Sequence, residues 1–141
     1  MENITTITDI APVFYENDGG RSKYFKGKNA GDCVVRAIAI ALNLDYKEVY
    51  DELAMMNKEL YGIKTARNGN SKKAYEKFLK KRGWHWCKAP KLVGRKARYF
   101  DLPHGRYIAR QANHLVAVID GSIHDTWDST HKMVYGYYAK S

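Results

Sequence analysis

A cysteine, a histidine and an aspartate stand in this chain in an order that could generate a thiolate, take up its proton and hold the base in place. Cys33 opens the apolar run Val34-Val35-Arg36-Ala37-Ile38-Ala39-Ile40-Ala41-Leu42, and His114 opens Leu115-Val116-Ala117-Val118-Ile119. Asp125 and Asp128 follow one turn later, in Ile123-His124-Asp125-Thr126-Trp127-Asp128. A free thiol is mostly protonated at neutral pH, and the thiolate is the nucleophile. Unpaired N–H groups and the positive dipole end of a helix favour that anion. A neighbouring imidazole takes the proton, and a carboxylate on the far ring nitrogen fixes the tautomer and steadies the cation. The chemistry within reach is acyl transfer through a thioester. Asp32 reads as the N-cap, leaving Cys33 at the first helical position.

The elements that must carry these residues are legible in the periodicity. Residues 33–42 are apolar almost all round, the mark of a central buried helix, and the lone Arg36 must point outward or pair with a carboxylate. Asn43 closes it. Asp45-Tyr46-Lys47-Glu48 has the form of a capping box, opening a second helix to about Leu60. Ser71 caps a third, with Ala74, Tyr75, Phe78 and Leu79 inward and Gly83 at its end. Trp84-His85-Trp86-Cys87 alternates as a strand. The last third reads as an antiparallel meander with strands at 106–110, 114–119, 122–127 and 133–138. The expected fold class is α+β, with N-terminal helices packed on a C-terminal antiparallel sheet and the chemistry where the first helix meets it.

Asp120-Gly121 is the strongest hairpin signal, since a type I′ turn needs positive φ at both positions. A two-residue loop pairs Ile119 with Ser122 and puts Asp125 on the face of His114, as a diagonal neighbour about 7–8 Å away at Cα. A three-residue loop would bring Asp128 opposite His114 instead. Asp125 is preferred because the turn signal favours the shorter loop. One oxyanion donor is the Cys33 backbone N–H, and the Asn29 amide is the candidate second. His124 falls on the face opposite Asp125. His85, His104 and His131 lack a partner at metal-ligand spacing, so no metal and no cofactor are expected. Cys87, between tryptophans, reads as core packing.

Residues 29–42 and 106–138 together resemble the papain-like cysteine peptidases, whose nucleophile opens a buried helix and whose histidine stands on a later strand. In papain-type enzymes a small hydroxyl residue and a tryptophan follow the third catalytic residue, and Asp125-Thr126-Trp127 is similar, with aspartate for the usual asparagine. Bacteriocin-leader peptidases also use aspartate, and Gly31-Asp32-Cys33 is similar to their Asp-Cys pair. Gly31-Asp32-Cys33-Val34-Val35-Arg36-Ala37 also resembles the nucleophile motif of ovarian-tumour-type deubiquitinases. The glutamine that papain-like enzymes carry before the cysteine is replaced here by a stretch holding Lys26, Lys28 and Asn29. The resemblance implies a minimal papain-like fold and a cysteine hydrolase, peptidase or isopeptidase, working through Cys33, His114 and Asp125 with an acyl-enzyme intermediate. It also implies that asparagine at 125 would still orient the ring.

With 141 residues the chain is expected to form one domain, 1–141, with a polar arm at 1–22. No apolar run behind a basic start and no stretch of spanning length occurs, so neither a targeting segment nor membrane association is expected. Two cysteines do not make a disulfide framework, which points to a reducing, cytoplasmic setting. The style is that of a phage-encoded factor acting in a host cytoplasm.

The net charge of +9 is concentrated in the helix and loop at 72–98, which hold eleven basic residues against the single acid Glu76. Lys72, Lys73, Lys80, Lys91 and Lys96 could draw in nucleic acid or an acidic protein. The alternative to an enzyme is therefore a non-catalytic binding protein on the same scaffold, using this patch.

Overall fold

The computed structural model describes residues 13–26, 32–62 and 71–141. Three helices, α1 (Cys33–Leu42), α2 (Tyr46–Tyr61) and α3 (Lys72–Lys81), pack with a six-stranded sheet. Its strands are β1 (Phe14–Glu16), β2 (Trp84–Lys88), β3 (Arg106–Gln111), β4 (His114–Ile119), β5 (Ser122–Asp125) and β6 (Gly136–Lys140). The α+β class holds. No described helix is long and apolar enough to cross a membrane.

The helices end where their sequences dictate. Asp45 accepts the N–H groups of Lys47 and Glu48 at the start of α2, and Ser71 accepts that of Ala74 at the start of α3. Asn43 closes α1 in the left-handed region, with φ 55°, which asparagine tolerates better than most residues. Val34, Val35, Ala37, Ile38, Ala39, Ile40 and Ala41 are all buried. Each fully buried valine or isoleucine contributes about 1.5–3 kcal/mol relative to exposure, so the layers are held chiefly around α1. Leu115 and Ala117 of β4 join this core. Val116, Val118 and Ile123 face a second core, closed by Tyr99, Leu102 and Val134.

The sheet differs from the expected antiparallel meander in two ways. Its order is β1-β5-β4-β3-β6-β2. Strands β3 to β6 thus follow Greek-key order, the fourth lying beside the first. Residues 133–135 explain the displacement of the last strand: Val134 donates to the Ala97 carbonyl, away from the sheet, and the first bond to β3 is that of Tyr135 N–H to the Arg110 carbonyl, so the ladders with β3 and β2 open at Gly136. The sheet is also mixed, because β1, from the expected N-terminal arm, pairs parallel with β5. The outer edge of the β4–β5 hairpin would otherwise leave its N–H and C=O groups unpaired. Ile123 N–H donates to Val13 and Asn17 N–H to the Asp125 carbonyl, which fastens β5 just where the site begins.

The hairpin itself has the two-residue loop. Ile119 pairs with Ser122, Val118 with Ile123 and Ala117 with His124. Asp120 and Gly121 both have positive φ, 49° and 81°, as the type I′ turn requires. By parity His114 and Asp125 share the face of Val116 and Ile123. As the terminal residues of their strands, they meet the start of α1 at the end of the sheet.

Candidate active site

Cys33 is the first residue of α1 and is half-buried. His114 opens β4 and Asp125 closes β5, each almost fully buried. The His114 Nε2 lies 2.6 Å from Asp125 Oδ2. The other ring nitrogen is left for Cys33, whose titration is linked to that of His114. One imidazole thus stands between a thiol and a carboxylate.

The electrostatics follow. Burial disfavours the Cys33 thiolate, but the hydrogen bonds from His114 and from the Leu115 backbone N–H, with the positive charge of His114 and Arg36, outweigh it and lower the thiol pKa. Burial likewise disfavours the His114 imidazolium, yet the hydrogen bonds to Asp125 and Cys33 and their negative charges raise its pKa above the ordinary value. The two shifts run toward each other, the condition for a thiolate–imidazolium pair. The Trp127 ring lies 4.7 Å from that of His114 between centroids, covering one side of the imidazole. Lys132 Nζ sits over the Trp127 ring, 5.6 Å from its centroid, and donates to the Ala112 carbonyl, steadying the corner.

Asp128 does not reach the site. Its carboxylate accepts the backbone N–H and hydroxyl of Thr130, at 2.9 and 2.6 Å, and serves the turn after Trp127. His124 stacks on Tyr15, and His104 pairs with Asp120 at 3.0 Å. Asn29 lies outside the described residues. No group of three histidine, cysteine or acidic side chains placed to hold a metal occurs among the described residues.

Asp32 occupies the N-cap position but does not cap: its side chain makes no bond to the helix N–H groups. It is fully buried and turned to other partners. It pairs with Arg36, accepts the Tyr46 hydroxyl at 2.6 Å, and lies 3.2 Å from Arg21 Nε. Arg36 turns its Nε to Asp125 Oδ1 at 3.3 Å. A buried chain of charge therefore runs from Arg21 through Asp32, Arg36 and Asp125 to His114. An arginine four residues after an aspartate in an otherwise apolar run was the available signal, since (i, i+4) side chains share a helix face. The Leu115 N–H on the thiol left no signal, because backbone donors carry no residue identity.

Lys72, Lys73 and Lys80 lie on the exposed side of α3, and Lys91 and Lys96 on the exposed loop that follows β2. That loop and residues 133–135 enclose a cleft of about 650 Å³. Arg95, Lys96, Arg98 and His131 line its neighbour.

Compared with protein-family models, curated proteins and solved structures, the chain matches none.

Proposed function

We propose that this chain is a cysteine hydrolase of the papain-like class, cleaving peptide or isopeptide bonds through Cys33, His114 and Asp125. The observation that carries the proposal is the placement of His114, 2.6 Å from Asp125 on one side, with its charge and that of the half-buried Cys33 at the start of α1 favouring each other. Cys33 Sγ attacks the carbonyl carbon, and the C=O π electrons move to oxygen. The Cys33 N–H, at the first position of α1, supplies a donor for that charge. His114 gives its proton to the leaving nitrogen as the C–N bond breaks, leaving a thioester. His114 then takes a proton from water as its oxygen attacks the thioester carbonyl; the C–S bond breaks, the acid product leaves, and the proton stays with the restored Cys33–His114 pair.

The test compares the two cysteines of the chain, Cys33 and Cys87. Iodoacetamide at pH 6 to 7 should label Cys33 at least about tenfold faster than Cys87 or a free thiol, and His114→Ala should abolish the difference. Equal rates at both positions would end this reading.

A second reading draws on the cleft beside the 133–135 segment, which Lys91, Arg95 and Lys96 line. There the patch binds an acidic protein or nucleic acid, with or without hydrolysis. Binding of a polyanion should fall steeply with added salt and be lost on reversing Lys91 and Lys96. Salt-insensitive binding, or none, returns these residues to solubilisation.

A further inference from the structure

The carboxylate of Asp125 is engaged along both edges, and by different kinds of donor. Oδ2 faces His114 Nε2 at 2.6 Å. Oδ1 accepts the backbone N–H of Thr126 at 2.7 Å and lies 3.3 Å from Arg36 Nε. A carboxylate accepts along both edges, whereas a carboxamide accepts on one and donates on the other. Arginine cannot offer an acceptor in any protonation state. Nor is Arg36 free to turn away: it is buried and paired with Asp32, which the Tyr46 hydroxyl and Arg21 hold in turn.

We infer that Arg36 is a positioning residue that makes a carboxylate, and not a carboxamide, the side chain required at 125 to hold His114 as a base toward Cys33. This rests on the hydrolase reading and deepens it. An asparagine at 125 must turn its oxygen to Arg36 and Thr126, since two donors meet there. Its NH₂ then faces His114 Nε2, which must accept. The ring proton moves to the nitrogen facing Cys33, and that nitrogen can no longer take the thiol proton. The equivalence of asparagine expected from the papain-type pattern does not hold beside Arg36. The charged and titratable groups around Arg36 are Asp32 ahead of α1, Cys33 on α1, Asp125 on β5 with His114 behind it, and Arg21 and Tyr46 behind Asp32.

The experiment is a double-mutant cycle of Asp125→Asn and Arg36→Gln, read by the pH dependence of Cys33 alkylation and by the ¹⁵N tautomer signature of His114. Glutamine places Oε1 one bond beyond Cδ, where arginine has Nε, so it can accept from an asparagine NH₂. Asp125→Asn alone should cut alkylation near neutrality by at least about tenfold and move the neutral-ring proton from Nε2 to Nδ1. The double variant should regain at least about threefold over Asp125→Asn and stay below Arg36→Gln, since the Thr126 N–H remains at that edge when the Arg36 donor is gone. Asp125→Asn with an unchanged tautomer and unchanged alkylation profile overturns the inference. So does a folded double variant no better than Asp125→Asn. Should the double variant fail to fold, the tautomer in Asp125→Asn decides, because that change is isosteric and leaves the Arg36–Asp32 pair in place. A wild-type Cys33 no faster than a free thiol would refute the hydrolase reading, while the His114 tautomer would still report on Arg36.

Discussion

The hydroxyl of Tyr46 donates to Oδ2 of Asp32 at 2.6 Å, with both side chains buried. That bond ties the first turn of α2 to the residue ahead of Cys33, so the second helix helps to fix the start of the first. Tyr46→Phe keeps the ring packing and removes one donor from a buried carboxylate. It should cost about 1–3 kcal/mol, read as a lower denaturant midpoint with an unchanged slope. A loss below about 0.5 kcal/mol would mean that Arg36 and Arg21 hold Asp32 without help.

Glu52 and Arg82 join α2 to α3 through a two-pronged contact at 2.8 and 2.9 Å, with the guanidinium over the Phe78 ring. The Arg82 hydrogen bond holds the Glu52 carboxyl below its ordinary value despite some burial. A lowered carboxyl adds stability that is present above the unfolded value of 4.5 and lost as pH falls through the folded one. Both side chains are about a third exposed, so the pair is discounted for screening. Glu52→Gln should cost roughly 0.5–1 kcal/mol at neutral pH. The gap to wild type should close under acid in a denaturation series.

Local chemistry carried much of this architecture into the sequence, and long-range pairing did not travel with it. Ser71, Asp45 and Asn43 mark helix ends because their side chains or backbone preferences act within a few residues. Asp120-Gly121 sets a register, and parity then brings Asp125 to the face of His114. Nothing local announces that β6 will lie beside β3, or that β1 will close the far edge in parallel. Those depend on which edges remain open once the hairpin has formed. Asp32 shows the same divide in one residue. Its local preference is to cap α1, but the Tyr46 hydroxyl and Arg21, brought in by the fold, join Arg36 one turn along the helix in claiming the same oxygens, and the buried network prevails.

The same divide separates the two aspartates after the hairpin. Removing the Asp125 side chain strips a buried partner from both Arg36 and His114, and breaking a buried pair on one side costs about 3–5 kcal/mol. Asp125→Ala should therefore destabilise the fold and slow Cys33 alkylation together. Asp128→Ala loses the part-buried turn contacts to Thr130 and should cost about 0.5–1.5 kcal/mol, with alkylation near wild type. The reverse order in paired melting and labelling measurements would reassign the orienting acid.

Cys33 and His114 titrate against each other, and the signs of their shifts predict the shape of the stability curve. The raised His114 value adds stability that is fully present below the unfolded 6.5 and lost as pH rises through the folded value. The lowered Cys33 value adds stability that is fully present above the unfolded 9.0 and lost as pH falls through the folded value. Where the folded dyad is a thiolate with an imidazolium and the unfolded one a thiol with a neutral ring, both hold one proton. Stability from the dyad is then flat across that interval and falls on either side. Urea titrations from about pH 5 to pH 10 should show that plateau as a difference between wild type and a Cys33→Ala, His114→Gln double variant. Cys33→Ala alone should lose the acid limb and His114→Gln alone the alkaline one. A wild-type difference that rises or falls monotonically across the interval would mean that the proton stays on sulfur, and that the thiolate forms only when substrate arrives.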